Sequence, residues 1–132
     1  MKKGEVAISQ TIKGKLPRLP FLEMKQYCLG ASFTVSIVFV GETRARALNT
    51  MYRGKSYVPN ILTFPLSKES GEIVICLSQA RRDAKKFSMK KSEFLHYLLI
   101  HGFFHLKGMA HGSKMNVQER RARKKFSVPE AQ

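Results

Sequence analysis

FLHYLLIHGFFHL, residues 94–106, is the stretch on which the reading of this chain turns. At helical spacing Phe94, Tyr97 and Leu98 share one face with His101 and His105, while Leu95, Leu99, Phe103 and Leu106 cover the other. A helix apolar nearly all round has no face to offer water and belongs at the centre of a domain. The stretch is too short, at under the ~20 residues a bilayer span needs, to be a membrane helix. Ser88 is the predicted N-cap and Gly108 the predicted stop.

All four histidines lie in or just beyond this stretch, three of them within residues 101–111. His101 and His105 are four apart, so their side chains rise from one face about 5–6 Å from each other. Gly108 lets the chain turn back, and the short segment after it carries His111 round to face them, giving the spacing H-x3-H-x5-H. Three neutral imidazoles leave the fourth tetrahedral position of a zinc ion open, the arrangement of a catalytic site. The expectation is one zinc per chain on His101, His105 and His111. His96, alone, is expected to be an ordinary hydrogen-bonded histidine. The same spacing, with a glycine three residues after the second histidine, occurs in H-E-x-x-H-x-x-G-x-x-H peptidases. There a glutamate follows the first histidine as general base; here Gly102 stands in its place, which argues against peptide hydrolysis.

Outward from the helix, TVSIVFV (residues 34–40) reads as a buried strand, and ETRARALNTMYR (residues 42–53) as an amphipathic helix. ILTFPL (61–66) and EIVIC (72–76) flank a Glu69-Ser70-Gly71 turn and are expected to form a hairpin, with Pro65 marking the first strand as an edge. Ser78 is the predicted cap of a helix carrying Arg81 to Lys86, and a last helix is expected over about 117–126. A helix after Pro20 and a strand over 6–9 complete the order β, α, β, α, β, β, α, α, α. The expected fold is a mixed α/β domain of the α+β type, one small mixed sheet packed with helices, the metal-bearing helix at its centre. A single domain over residues 1–132 accommodates it. Cys28 and Cys76, far apart, are expected to be small buried hydrophobes.

Twenty-four Lys and Arg against nine Asp and Glu leave a formal net charge of +15. An excess of this size favours a polyanionic partner, nucleic acid before membrane. Two groups concentrate it: Arg81, Arg82, Lys85 and Lys86, and Arg120, Arg121, Arg123, Lys124 and Lys125. The start, MKKGEVAISQ, has no apolar run and does not read as a secretory signal, so a soluble, cytoplasmic protein is expected.

HGFFHLKGMAH, residues 101–111, resembles the signature H-G-x-L-H-L-x-G-Y-D-H of the YbeY endoribonucleases, which act in bacterial ribosomal RNA maturation. LNTMYRGKSYVPNILTFP (48–65) resembles that family's L-N-x-x-Y-R-x-K-D-x-P-T-D-V-L-S-F-P, and GEIVIC (71–76) its G-D-I-x-I-C. The resemblance implies a zinc-dependent endoribonuclease of the 16S rRNA 3′ end, with His101, His105 and His111 as ligands and Arg53 as the arginine acting in RNA processing. Ribosomal RNA and the small ribosomal subunit are the implied partners. Arg53 can offer a bidentate contact to phosphate, and Tyr52 and Tyr57, near Lys55, can stack on unpaired bases or simply pack. Family acids are absent at Ser56, Asn60 and Ala110, Glu72 stands for an aspartate, and the acidic stretch after His111 is shortened to GSK. The alternative is therefore a non-catalytic zinc-containing assembly factor; a metal-dependent peptidase is third.

Overall fold

The computed structural model describes residues 2–108 and 112–129. Its elements run β1 (Val6–Gln10), α1 (Phe21–Leu29), β2 (Thr34–Val40), α2 (Glu42–Arg53), β3 (Ile61–Ser67), β4 (Ser70–Cys76), α3 (Leu77–Lys86), α4 (Lys91–Leu106) and α5 (Ser113–Lys125). The element order and the α+β class are those expected from the sequence.

The strands form one mixed sheet in the order β1-β2-β4-β3. β1, β2 and β4 are parallel, and β3 returns antiparallel beside β4 as the predicted hairpin. Pro65 sits on this edge strand, where its missing N–H costs least, and the register shifts immediately after it.

Alternation along β2 and β4 sorts the two faces. Val35, Ile37, Phe39, Ile73 and Ile75 form one core with α1 and α4, which contribute Met24, Cys28, Leu99 and Phe103. Val40, Val74 and Cys76 form a smaller one with Leu62 and with Ala45 of α2. The steps from β1 to β2 and from β2 to β4 go the same way across the sheet. Their helices nevertheless lie on opposite faces, so the two crossovers have opposite hands and one is left-handed, against the usual preference.

α4 is central, as its composition requires. It packs against α1, α3, α5, β3 and β4, and Phe94, Leu95, Leu98, Leu99, Ile100, Phe103, Phe104 and Leu106 are all buried. Two expected caps are corrected. α4 begins after Lys90, whose N–H is accepted by Glu93 Oε1 at 3.0 Å, while Ser88 lies outside the helix with φ 54°. α3 begins directly off β4 at Leu77, and the Ser78 hydroxyl donates to Glu42 Oε2 at 2.9 Å instead of capping. In both cases a nearby partner competes successfully for the groups a serine cap would use. α5 starts at Ser113, earlier than its apolar pattern indicated.

The Lys25 ammonium is wholly buried and donates to the carbonyls of Gly4, Gly30 and Ala31 at 2.9, 3.1 and 3.1 Å. It ties the turn before β1 to the end of α1. Cys28 and Cys76 are free and buried, as expected. Burial pushes the Cys28 thiol up to about 12, so Cys28 is not expected to react with an alkylating reagent at neutral pH until the protein unfolds. Mass spectrometry after native alkylation checks this, and a labelled Cys28 would contradict it.

Candidate active site

α4 carries His101 and His105 on its partly exposed side, and their Nε2 atoms lie 2.9 Å apart. Behind His101 stands a residue that the sequence reading missed. The Glu119 carboxylate, on α5, is 5% exposed and has both oxygens 3.1 Å from His101 Nδ1. Burial raises the Glu119 carboxyl, but the His101 hydrogen bond, with the charges of His101, Arg123 and His105, outweighs it and holds the group below the usual carboxylate range. An ionised carboxylate only accepts, so His101 Nδ1 carries the proton and, in the neutral ring, Nε2 presents its lone pair. His105 Nε2–H then donates to it.

Glu119 is itself held. Arg123 Nη1 lies 3.5 Å from Glu119 Oε2, and the Arg123 guanidinium sits over the Tyr97 ring, 5.4 Å from its centroid. This corrects one reading of the C-terminal basic group: Arg123 is buried and structural, while Arg120, Arg121, Lys124 and Lys125 are exposed. A signal for Glu119 was present, since it is the lone acid between Phe94 and Pro129. His96 donates from Nδ1 to its own helix, to Ser92 O at 2.7 Å, as an ordinary histidine does.

The donor set suits a metal. Two nitrogens on one tetrahedral zinc at ~2.0–2.1 Å stand about 3.3 Å apart, a few tenths of an ångström from the observed separation. A carboxylate fixing the far nitrogen is the usual companion of a metal-bound imidazole. The third expected ligand, His111, and the family-acid position Ala110 lie outside the described residues. Among the described residues, no group of three His, Cys, Asp or Glu side chains is arranged to hold a metal ion.

Arg53 ends α2, just before Gly54 in the left-handed conformation. Its Nη1 donates to Asn49 Oδ1 at 3.4 Å and to Tyr57 OH at 3.3 Å. Buried Asn49 in turn donates to Tyr57 O at 3.0 Å, holding the loop after α2 in place. Arg53 thereby lines the same cavity as the two histidines, about 520 Å³ in volume, together with Tyr52, Ile61 and Thr63. Tyr52 packs edge-on against Phe64, with centroids 5.1 Å apart. Among the described residues lining this cavity none is a carboxylate. Gly102 explains part of that. A Cβ there would come within 3.0 Å of Ile61 Cδ1 and 3.3 Å of Thr63 Cγ2, so α4 meets β3 where a peptidase would carry its glutamate.

The family model described as Endoribonuclease YbeY matches residues 3–129. The chain belongs to the YbeY family. Relatives named Endoribonuclease YbeY include one from Cupriavidus metallidurans, 37% identical over 101 residues, covering 71% of this chain and 50% of that protein. Another, from Alkaliphilus metalliredigens, is 30% identical over 109 residues, covering 74% and 70%. One from Thiobacillus denitrificans is 34% identical over 109 residues, covering 75% and 73%. The match thus spans half of the Cupriavidus protein and about seven tenths of the other two. A solution structure of a Thermotoga maritima protein shares the fold, with a TM-score of 0.64 and 22% identity over 93% of this chain and 92% of that one. Among the described residues no helix is long and apolar enough to cross a membrane.

Proposed function

We propose that this chain is a zinc-dependent endoribonuclease of ribosomal RNA maturation, working as one domain over residues 1–132 in the cytoplasm. The observation that carries the reading is the shared cavity. An arginine, Arg53, and two imidazoles with their nitrogens turned together, His101 and His105, line one hollow although they come from different elements. Family membership supports it.

In this reading His101 and His105, with His111 as third ligand, hold one zinc per chain. Zinc bound there supplies a Lewis acid and a water of lowered pKa. The protein's own part is placement. Glu119 holds His101 in the tautomer whose Nε2 is unprotonated, and the Arg53 fork receives the phosphodiester and stabilises negative charge as it grows on the phosphoryl oxygens. The +15 charge draws in RNA, with the small ribosomal subunit as its source.

The test is metal analysis of the purified protein together with cleavage of a ribosomal RNA fragment, with and without chelator. About one zinc per chain and cleavage that the chelator abolishes are expected. Bound zinc without cleavage would instead select an RNA-binding assembly factor, a reading favoured by the loss of family acids at Ser56 and Asn60.

Glu119→Gln is expected to weaken zinc binding about 10–100-fold, because the amide keeps the shape but loses the charge that makes His101 basic. Competition with a chromophoric chelator measures this, and undiminished affinity would remove Glu119 from the role.

A further inference from the structure

The histidine cavity opens beside a second cleft, of about 640 Å³, and the two share Arg53 and Ile61 as a common wall. The second cleft holds no histidine among its lining residues. It is built around a fixed polar network. Asn60 Nδ2 donates to Asp83 Oδ2 at 2.9 Å, and Gln79 Nε2 donates to Asp83 Oδ1 at 3.0 Å. Arg82 Nη2 donates to Gln79 Oε1 at 2.8 Å and pairs with Glu42 Oε2 at 3.1 Å. The Asn60 amide, standing where the family carries an acid, is thus a donor that orients Asp83.

Charge makes the cleft a receptor for anions. Arg46, Arg53, Arg82 and Lys86 line it against Glu42 and Asp83, four cations to two carboxylates, a net of +2. Its volume lies within the ~300–1,000 Å³ range of small-molecule pockets. The basic stripe of α3 divides here. Arg82 and Lys86 face this cleft, while Arg81 lines a separate apolar pocket with Lys91. Arg53, whose present partners are the neutral oxygens of Asn49 and Tyr57, is the only cation common to both cavities among the described residues.

We propose that this second cleft is the subsite for the nucleotide adjoining the scissile bond of a single-stranded RNA, its phosphate received by Arg46, Arg82 and Lys86. The strand passes from the histidine cavity over Arg53 into the α2–α3 cleft. One nucleotide, with its base and one phosphate, suits a cleft of this volume; a rigid duplex does not present its nucleotides singly. This rests on the ribonuclease reading and adds to it a path for the strand.

The experiment measures binding, so that it does not depend on turnover. Affinity of the full chain for a single-stranded RNA oligonucleotide is followed by fluorescence anisotropy across a salt series. Each lost phosphate contact on a single strand reduces the log–log slope by about 0.7. Arg46→Gln with Lys86→Gln, both exposed positions, is expected to release that one phosphate and flatten the slope by about 0.7, and Lys86→Gln alone by less. Arg81→Gln with Lys85→Gln, which removes the same charge, is expected to leave the slope unchanged. Equal flattening by the two double variants, or none by either, would overturn the subsite. Selective flattening in a chain without chelator-sensitive cleavage would keep the subsite and reject the nuclease; cleavage with unselective flattening would do the reverse.

Discussion

Arg53→Ala is expected to lower the rate of RNA cleavage by about 10²–10³-fold, the usual cost of removing one donor aimed at transition-state charge. Zinc content and the thermal midpoint should stay close to those of the unmodified protein. Arg53 is exposed, and its two hydrogen bonds, at 3.3 and 3.4 Å, are long ones whose loss costs little stability. Most RNA affinity should also remain, because the rest of the basic surface is untouched. Arg53→Lys is expected to recover little, since an ammonium cannot reproduce the bidentate fork. Single-turnover cleavage with saturating RNA separates the rate from binding. A variant that cleaves at the original rate would show that the Arg53 contact adds nothing in the transition state.

Phe103→Ala is expected to destabilise the fold by about 3–5 kcal/mol. Phe103 is 0% exposed within the core that joins α4 to the sheet, and removing its ring leaves a cavity that the surrounding helices close only in part. Against the ~5–15 kcal/mol of an ordinary domain this is a large share. Urea unfolding should show a lower midpoint at an unchanged slope. A loss below about 1 kcal/mol would mean that α4 is not the centre of the core.

The parts of this molecule legible in its residues are those that local physics controls. Continuous apolar patterning made residues 94–106 a central helix before any fold was known, because such a helix has nowhere else to go. The hairpin of β3 and β4 was legible for the same kind of reason: two short apolar runs with a turn between them leave little freedom. The four-residue spacing of His101 and His105 brought them to one face by helix geometry alone. Arg53 was legible only through resemblance to the family's motif, since an arginine at a helix end is by itself unremarkable.

Tertiary packing decided the rest. Glu119 and His101 are 18 residues apart, and only the docking of α5 on α4 makes the acid their meeting point. The same docking buries Arg123, which in sequence is one more member of a basic run. Gly102 could be read as a missing base; the structure adds that a Cβ there would press on Ile61 Cδ1 at 3.0 Å and Thr63 Cγ2 at 3.3 Å, so a side chain at this place would have to displace them. Ser78 does not cap because its hydroxyl donates to Glu42 of α2, and at the start of α4 it is Glu93, from the helix's own first turn, that accepts the Lys90 N–H. The sequence therefore determined the central helix, the hairpin and the histidine pair, whose causes act over a few residues. The opposite hands of the two crossovers, the carboxylate behind His101 and the cavity joining it to Arg53 were decided by tertiary structure, because each depends on distant segments being packed together.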